Sequence, residues 1–193
     1  MTEAEAIVLH RKYASGDESF DLVFTHCKIV AEIAAWAADN AGSPVDRTKL
    51  YEACIMHDIG TYALYSPELK KFKGRQDGYQ LHALIGAALL EEEGFDREVA
   101  AAVRTHVLLG VTAEEIKQAG WKLPHKDFLP ETELGELLCY ADRFHSKHSV
   151  FNAPEPFLEK LHQDFPKKAE KFERAMEKYG IPDLEKLAQK YNH

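Results

Sequence analysis

The chain has 193 residues, 45% of them apolar and 29% charged, with a formal net charge of −8. Such a composition suits one domain with a sizeable core. The negative balance argues against a nucleic-acid polymer as partner, because that binding draws on Lys and Arg neutralising phosphates; a small phosphorylated ligand stays open, since a metal can supply positive charge locally. Helical periodicity runs almost throughout, and strand signals are nearly absent. The pattern predicts helices over 3–14, 19–40 and 46–58, with Asp46 as an N-cap of the third. Asn40–Pro44 (N-A-G-S-P) is a stop signal of Gly and Pro type. A polar loop over 60–80 follows, holding Lys70, Lys71, Lys73 and Arg75 with Tyr62, Tyr65 and Tyr79. Further helices are predicted over 81–93, 96–108 and 112–119, the last with Thr112 and Glu115 in capping-box spacing. A loop over 120–130 precedes a helix over 132–148, and two charged amphipathic helices over 155–178 and 182–191 close the chain.

Cys27, Cys54 and Cys139 are far apart and each sits in an apolar helical stretch, which reads as buried reduced thiols in a cytoplasmic protein. No apolar run approaches the roughly 18–20 residues of a membrane span. The start, MTEAEAIVLHRKY, is acidic and then helical, unlike a signal peptide.

Polar residues on apolar helix faces carry the functional reading. Leu50, Cys54 and Asp58 are spaced four apart, as are Ala53 and His57 and, later, Leu134, Leu138 and Asp142. His26 shares a face with Leu22, Ile29, Val30 and Ile33; His82 lines up with Ile85 and Leu89; His106 follows Val99, Ala102 and Val103. A carboxylate on such a face must be protonated, ion-paired or metal-bound, because desolvating it unpaired costs several kcal/mol. Taken singly, each histidine reads as a hydrogen-bonded core residue, and Asp142 as a partner of Arg143 or Arg104. Taken together they suggest a metal centre in a helical bundle.

The ordered set His26, His57–Asp58 and Asp142 resembles the HD superfamily of metal-dependent phosphohydrolases. The surrounding words agree: T-H-C-K-I-V-A at 25–31, M-H-D-I-G at 56–60 and Y-A-D-R at 140–143. The resemblance covers about residues 20–150. It implies an all-α fold, an HD-domain helical bundle with the metal site in its core. Residues 1–150 would form that core with an N-terminal helix, and 151–193 a C-terminal helical extension packed on it. His82 and His106, in L-H-A-L-I-G-A and V-R-T-H-V, mark the binuclear subgroup, to which bacterial diadenosine tetraphosphate hydrolases and the HD-GYP phosphodiesterases belong; the G-Y-P motif is missing here. The resemblance implies that His26, His57, Asp58 and Asp142 hold one ion, and that Asp58 bridges to a second ion held by His82 and His106.

Imidazole and carboxylate ligands suit iron or manganese, with zinc, nickel, cobalt or magnesium as further choices. Paired ions of this kind can share a hydroxide and brace the attacking and leaving oxygens, so no nucleophilic side chain is needed. The expected activity is hydrolysis of a phosphoester or phosphoanhydride of a nucleotide or other small phosphorylated metabolite, with Asp58, His57 and Arg104 in catalytic roles. Candidate phosphate contacts are Arg104, Arg143, Lys147, Lys70 and Arg75, with His125 and Lys126 as further basic groups. His145 and His148 resemble a metal pair but read as an exposed face or a support behind the ligands, and His10, His162 and His193 receive no role. The terminal helices would dock on the core, close one mouth of the pocket or form a dimer contact, so the chain is expected as a monomer or homodimer without membrane partner. Two alternatives stay open: a mixed-valent di-iron oxygenase of the HD type, with Tyr13 and Glu18 as gating residues, and a non-catalytic nucleotide-binding module.

Overall fold

The computed structural model describes residues 1–68, 71–74, 77–147 and 150–192. The chain opens with α1 (Glu3–Tyr13), whose Thr2 and Glu5 form a capping box, and continues into the long α2 (Asp17–Asn40). α3 (Arg47–Met56) starts on Asp46, whose carboxylate accepts from the backbone N–H of Thr48 and Lys49. α4 (His82–Glu92), α5 (Arg97–Thr105), α6 (Ala113–Ala119) and α7 (Glu133–Ala141) follow. α8 (Pro154–Asp164), α9 (Pro166–Tyr179) and α10 (Leu184–Tyr191) end the chain. No helix among the described residues is long and apolar enough to cross a membrane.

Several expected boundaries move, each for a local reason. The third helix stops at Met56, and the chain tightens into a 3-10 turn over Ile59–Leu64. The expected loop over 60–80 therefore begins as that turn, then forms a short antiparallel hairpin, β1 (Tyr65–Ser66) with β2 (Lys71–Phe72). The fifth helix stops at Thr105, because Leu108 and Leu109 turn left-handed at φ 49° and 63°. The helix expected over 132–148 ends at Ala141; His145 is extended and starts a second hairpin, β3 (His145–Ser146) with β4 (Val150–Phe151). The helix expected over 155–178 is two, since Pro166 has no N–H to donate back and opens α9 instead.

The core is made by α2, α3, α5 and α7, whose Ile29, Ile33, Leu50, Ile55, Val103 and Leu138 are at most 2% exposed. Each such side chain contributes about 1.5–3 kcal/mol by leaving water. α9 closes this core with an aromatic knot: Tyr140 lies 5.7 Å from Phe172 and 5.4 Å from Tyr179, ring centre to ring centre. The Tyr140 hydroxyl donates to Gly180 O at 2.5 Å, tying helix α7 to the end of α9. A small satellite core of Val111, Ile116, Leu123 and Phe128 lies beyond α5.

Candidate metal centre

Six residues from five helices meet inside this bundle. His26 comes from the middle of α2, His57 caps the end of α3 and Asp58 follows it. His82 opens α4, His106 caps α5 and Asp142 caps α7. None is more than 9% exposed.

Asp58 sits between two histidine groups. Its Oδ2 lies 3.2 Å from Nε2 of both His26 and His57. Its Oδ1 lies 3.2 Å from Nε2 of His82 and 3.8 Å from Nε2 of His106. Asp142 Oδ1 completes the first group, 3.1 Å from His26 Nε2 and 3.4 Å from His57 Nε2. Within the second group the Nε2 atoms of His82 and His106 are 3.0 Å apart. The Thr61 hydroxyl donates to Asp58 Oδ1 at 3.1 Å and steadies the carboxylate.

The ring orientations follow from the helix ends. His57 Nδ1 donates to Cys54 O at 2.7 Å, His82 Nδ1 to Tyr79 O at 2.6 Å and His106 Nδ1 to Val103 O at 2.6 Å. A carbonyl can only accept, so each Nδ1 carries its hydrogen and each Nε2 faces the cluster; burial opposes a charge on His57, but Asp58 and Cys27 beside it raise its pKa well above the usual range. His26, in mid-helix, uses a side chain instead: its Nδ1 lies 2.9 Å from Nδ1 of His145, which is buried at 3% exposure.

Burial keeps His26 and His82 neutral, with pKa values lowered to about 3 and about 4; burial also lowers His106 well below the usual range. Burial opposes the charge on Asp58, but Lys147 and His57 beside it outweigh that and hold it ionised. Lys147 reaches Asp58 Oδ2 from the turn after β3. Burial works against its ammonium too, yet Asp58 and Tyr79 raise its pKa. Four imidazoles, three of them held neutral by burial, and two carboxylates converging in one buried place fit divalent ions that accept N and O ligands. Among the described residues, His26, His57 and Asp142 form one group able to hold an ion, and His57, Asp58 and His106 another.

The cluster opens into a cavity of about 1140 Å3. Arg143 and Lys147 border it near the cluster, and Arg143 also pairs with Asp142. Lys71, Lys73 and Lys160 add positive charge farther out, while Tyr79, Trp121, Phe157 and Phe165 give it aromatic walls. Tyr79 comes from the 60–80 segment singled out in the sequence, whereas Lys160 and Trp121 carry no signal there, because only tertiary packing brings α8 and the 120–130 loop to the site.

Arg104 is a correction. It pairs with Glu91 on the outer side, 36% exposed, and does not border the cavity. Two residues before His106 is about 200° around a helix, so the two side chains diverge. Tyr62 likewise stays away from the cavity: it is buried and its hydroxyl meets His10 Nδ1 at 2.7 Å. That contact also makes His10 a core histidine. Tyr13 bonds Glu93 and Glu18 is exposed, and neither borders the cavity. His125 and Lys126 are exposed, and His162 meets Glu173 on the surface. Lys70, Arg75, His148 and His193 lie outside the described residues.

The family model for the HD domain matches residues 23–147, a stretch that takes in all six clustered residues. An uncharacterized protein of Methanocaldococcus jannaschii is 34% identical over 123 residues, which is 62% of this chain and 64% of that protein. The tRNA (cytidine(56)-2'-O)-methyltransferase of Picrophilus torridus is 29% identical over 132 residues, 68% of this chain but 34% of the enzyme. That of Thermoplasma volcanium is 28% identical over 122 residues, 63% of this chain and 31% of the enzyme. The chain thus spans under two thirds of the first relative and about a third of each methyltransferase. The crystal structure of the HD domain of L. monocytogenes phosphodiesterase PgpH is similar with a TM-score of 0.57 at 13% identity, covering 97% of this chain and 99% of that one. The same domain in complex with cyclic-di-AMP gives 0.55 at 14%, covering 98% of each. At identity this low the likeness shows the fold alone.

Proposed function

The chain belongs to the HD domain family, and on that premise we propose that it is a metal-dependent phosphohydrolase acting on a phosphoester or phosphoanhydride of a nucleotide or another small phosphorylated metabolite. The observation that carries this is the placing of Asp58, with one oxygen toward His26 and His57 and the other toward His82 and His106. That arrangement suits two divalent ions, iron or manganese by ligand type, one held by His26, His57, Asp142 and Asp58, the other by His82, His106 and Asp58. Ions so bound supply an activated water and neutralise phosphoryl charge.

The chain's own residues do the rest. The carbonyls of Cys54, Tyr79 and Val103 hold three ligand rings with Nε2 turned to the cluster. Arg143 and Lys147 offer cationic contacts to phosphate from inside the cavity, and Lys70 and Arg75 remain candidates for the same task. The aromatic walls at Tyr79, Trp121 and Phe157 suit a nucleobase, in keeping with the cyclic-di-AMP bound by the PgpH domain. The segment 151–193 serves as an extension whose α8 walls the cavity, and the three buried thiols suit a reducing, cytoplasmic setting. Methyl transfer is not carried over, because the chain spans only about a third of the methyltransferases. The positions of Tyr13 and Glu18 away from the cavity favour hydrolysis over an oxygenase.

The test is a panel of mononucleotides, dinucleoside polyphosphates and cyclic dinucleotides, given to protein purified anaerobically and loaded with Mn2+ or Fe2+. Release of phosphate or a nucleoside phosphate, abolished by Asp58→Ala, is expected. No turnover across the panel with the metals bound would refute the hydrolase reading, and iron-specific oxygen uptake would replace it.

A further inference from the structure

Helix α9 reaches the turn that follows His106. Lys168 is buried there at 7% exposure. Its Nζ donates to Leu108 O at 3.1 Å and to Gly110 O, and pairs with Glu115 Oε2 at 3.0 Å. Lys171, on the same helix face, donates to Leu109 O at 3.3 Å. Three consecutive carbonyls are thus held by two ammonium groups of one helix.

That turn needs holding. Leu108 and Leu109 are both left-handed, at φ 49° and 63°. Non-glycine residues keep such a conformation only where their surroundings over-determine it. The turn begins directly after His106, whose Nδ1 donates to Val103 O and whose Nε2 lies 3.0 Å from His82 Nε2. His106 is still helical at φ −72° and ψ −20°, so the left-handed pair fixes where the last turn of α5 ends and, with it, where the His106 ring sits. Lys168 does not itself border the cavity; besides this turn and Glu115, its Nζ lies 5.6 Å from the centre of the Phe165 ring.

We propose that Lys168, aided by Lys171, is a positioning residue that sets His106 and thereby the affinity of the His82–His106 half of the site for its metal ion. The proposal rests on the two-ion reading above. It predicts a one-sided defect, because the hydrogen bonds and ion pair of the two lysines go to the His106 turn and Glu115, and none of them goes to His26, His57 or Asp142.

The experiment is a Mn2+ titration of the full chain, with free Mn2+ followed by electron paramagnetic resonance. The wild type should bind two ions. Lys168→Met should keep the first at wild-type affinity and bind the second roughly ten- to a hundredfold more weakly, the range for losing a group that orients a ligand. Lys168→Arg should recover part of that loss, and helical circular dichroism should be unchanged. Lys171→Met, at a half-buried position, should weaken the second ion to a smaller degree and decides the matter if Lys168→Met does not fold. Two ions bound at wild-type affinity by the deciding variant, or an equal loss at both, overturns the positioning role and leaves the two-ion reading standing. A wild type that binds one ion overturns the two-ion reading, and this proposal with it.

Discussion

Replacing Gly60 with alanine should cost stability and metal affinity together. A Cβ on Gly60 would lie 2.2 Å from His82 O, 2.4 Å from Gly86 N and 3.0 Å from Gly86 Cα. Ordinary contact starts at 3.4 Å, so the 3-10 turn and α4 must part by about 1.2 Å, the difference between 3.4 and 2.2. Every atom struck is backbone, so no side-chain rotation relieves the clash. Gly60 is not among the positive-φ glycines, so lack of space and not backbone strain forbids the methyl group. Overpacking of this kind costs about 1–3 kcal/mol or more, and the stiffer unfolded chain returns about 0.5 kcal/mol. The net expectation is a loss of about 0.5–2.5 kcal/mol or more in urea unfolding. The displaced helix begins at His82, so its ring shifts by the same order, and disturbing the orientation of a metal ligand costs about ten- to a hundredfold in affinity. Mn2+ binding at the His82 side should weaken accordingly. A Gly60→Ala protein within about 0.5 kcal/mol of the wild type, with full metal affinity, would refute the packing argument.

Two further outcomes follow from the same geometry. Arg104→Ala should leave metal binding and turnover unchanged and cost under about 1 kcal/mol, because it removes only a partly exposed pair with Glu91; a large drop in turnover would restore Arg104 to the site. Burial holds His10 neutral, its pKa lowered to about 4 from 6.5; the unfolded chain therefore takes the proton first, and this contribution is intact above pH 6.5 and lost as pH falls to 4. The loss by pH 4 is about 3 kcal/mol, and denaturant titrations over that range should show a shallower slope for His10→Gln than for the wild type.

What periodicity could reveal was the bundle and the residues that offend against it. His26, His57, Asp58, His82, His106 and Asp142 stand out because buried polar groups on apolar faces need a common explanation, and all six do meet. The hairpins were hidden, since β1 to β4 are two residues each and too short for alternation to show. Pro166 was a visible break inside an otherwise continuous amphipathic pattern. The basic residues show the limit most clearly. Arg104 and Lys147 are both near ligands in sequence, yet one faces outward to Glu91 and the other lies on Asp58. Helical angle could have separated them for Arg104; for Lys147 the hairpin had to be known first. Lys160 and Trp121 enter the cavity only through the docking of distant segments.

The placement of the ligands at helix ends has its own logic. The last carbonyls of a helix lack an N–H partner four residues on. His57 and His106 stand where α3 and α5 end, and each gives its Nδ1 hydrogen to the carbonyl three residues back. His82 does the same with Tyr79 at the start of α4, where the preceding 3-10 turn leaves a carbonyl within reach. At His57 and His106 one hydrogen bond thus serves a helix-end carbonyl and turns Nε2 to the metal site; at His82 the Tyr79 carbonyl already accepts from the His82 backbone N–H, and the ring bond adds the orientation. His26 cannot use this device, because in the middle of α2 the carbonyls are already bonded within the helix. It needs a side-chain acceptor, and His145, carried in by β3 after α7 stops early, lies at 2.9 Å. The early end of α7 is therefore part of how the site is built: a helix continued through His145 would have left His26 without the partner that orients it.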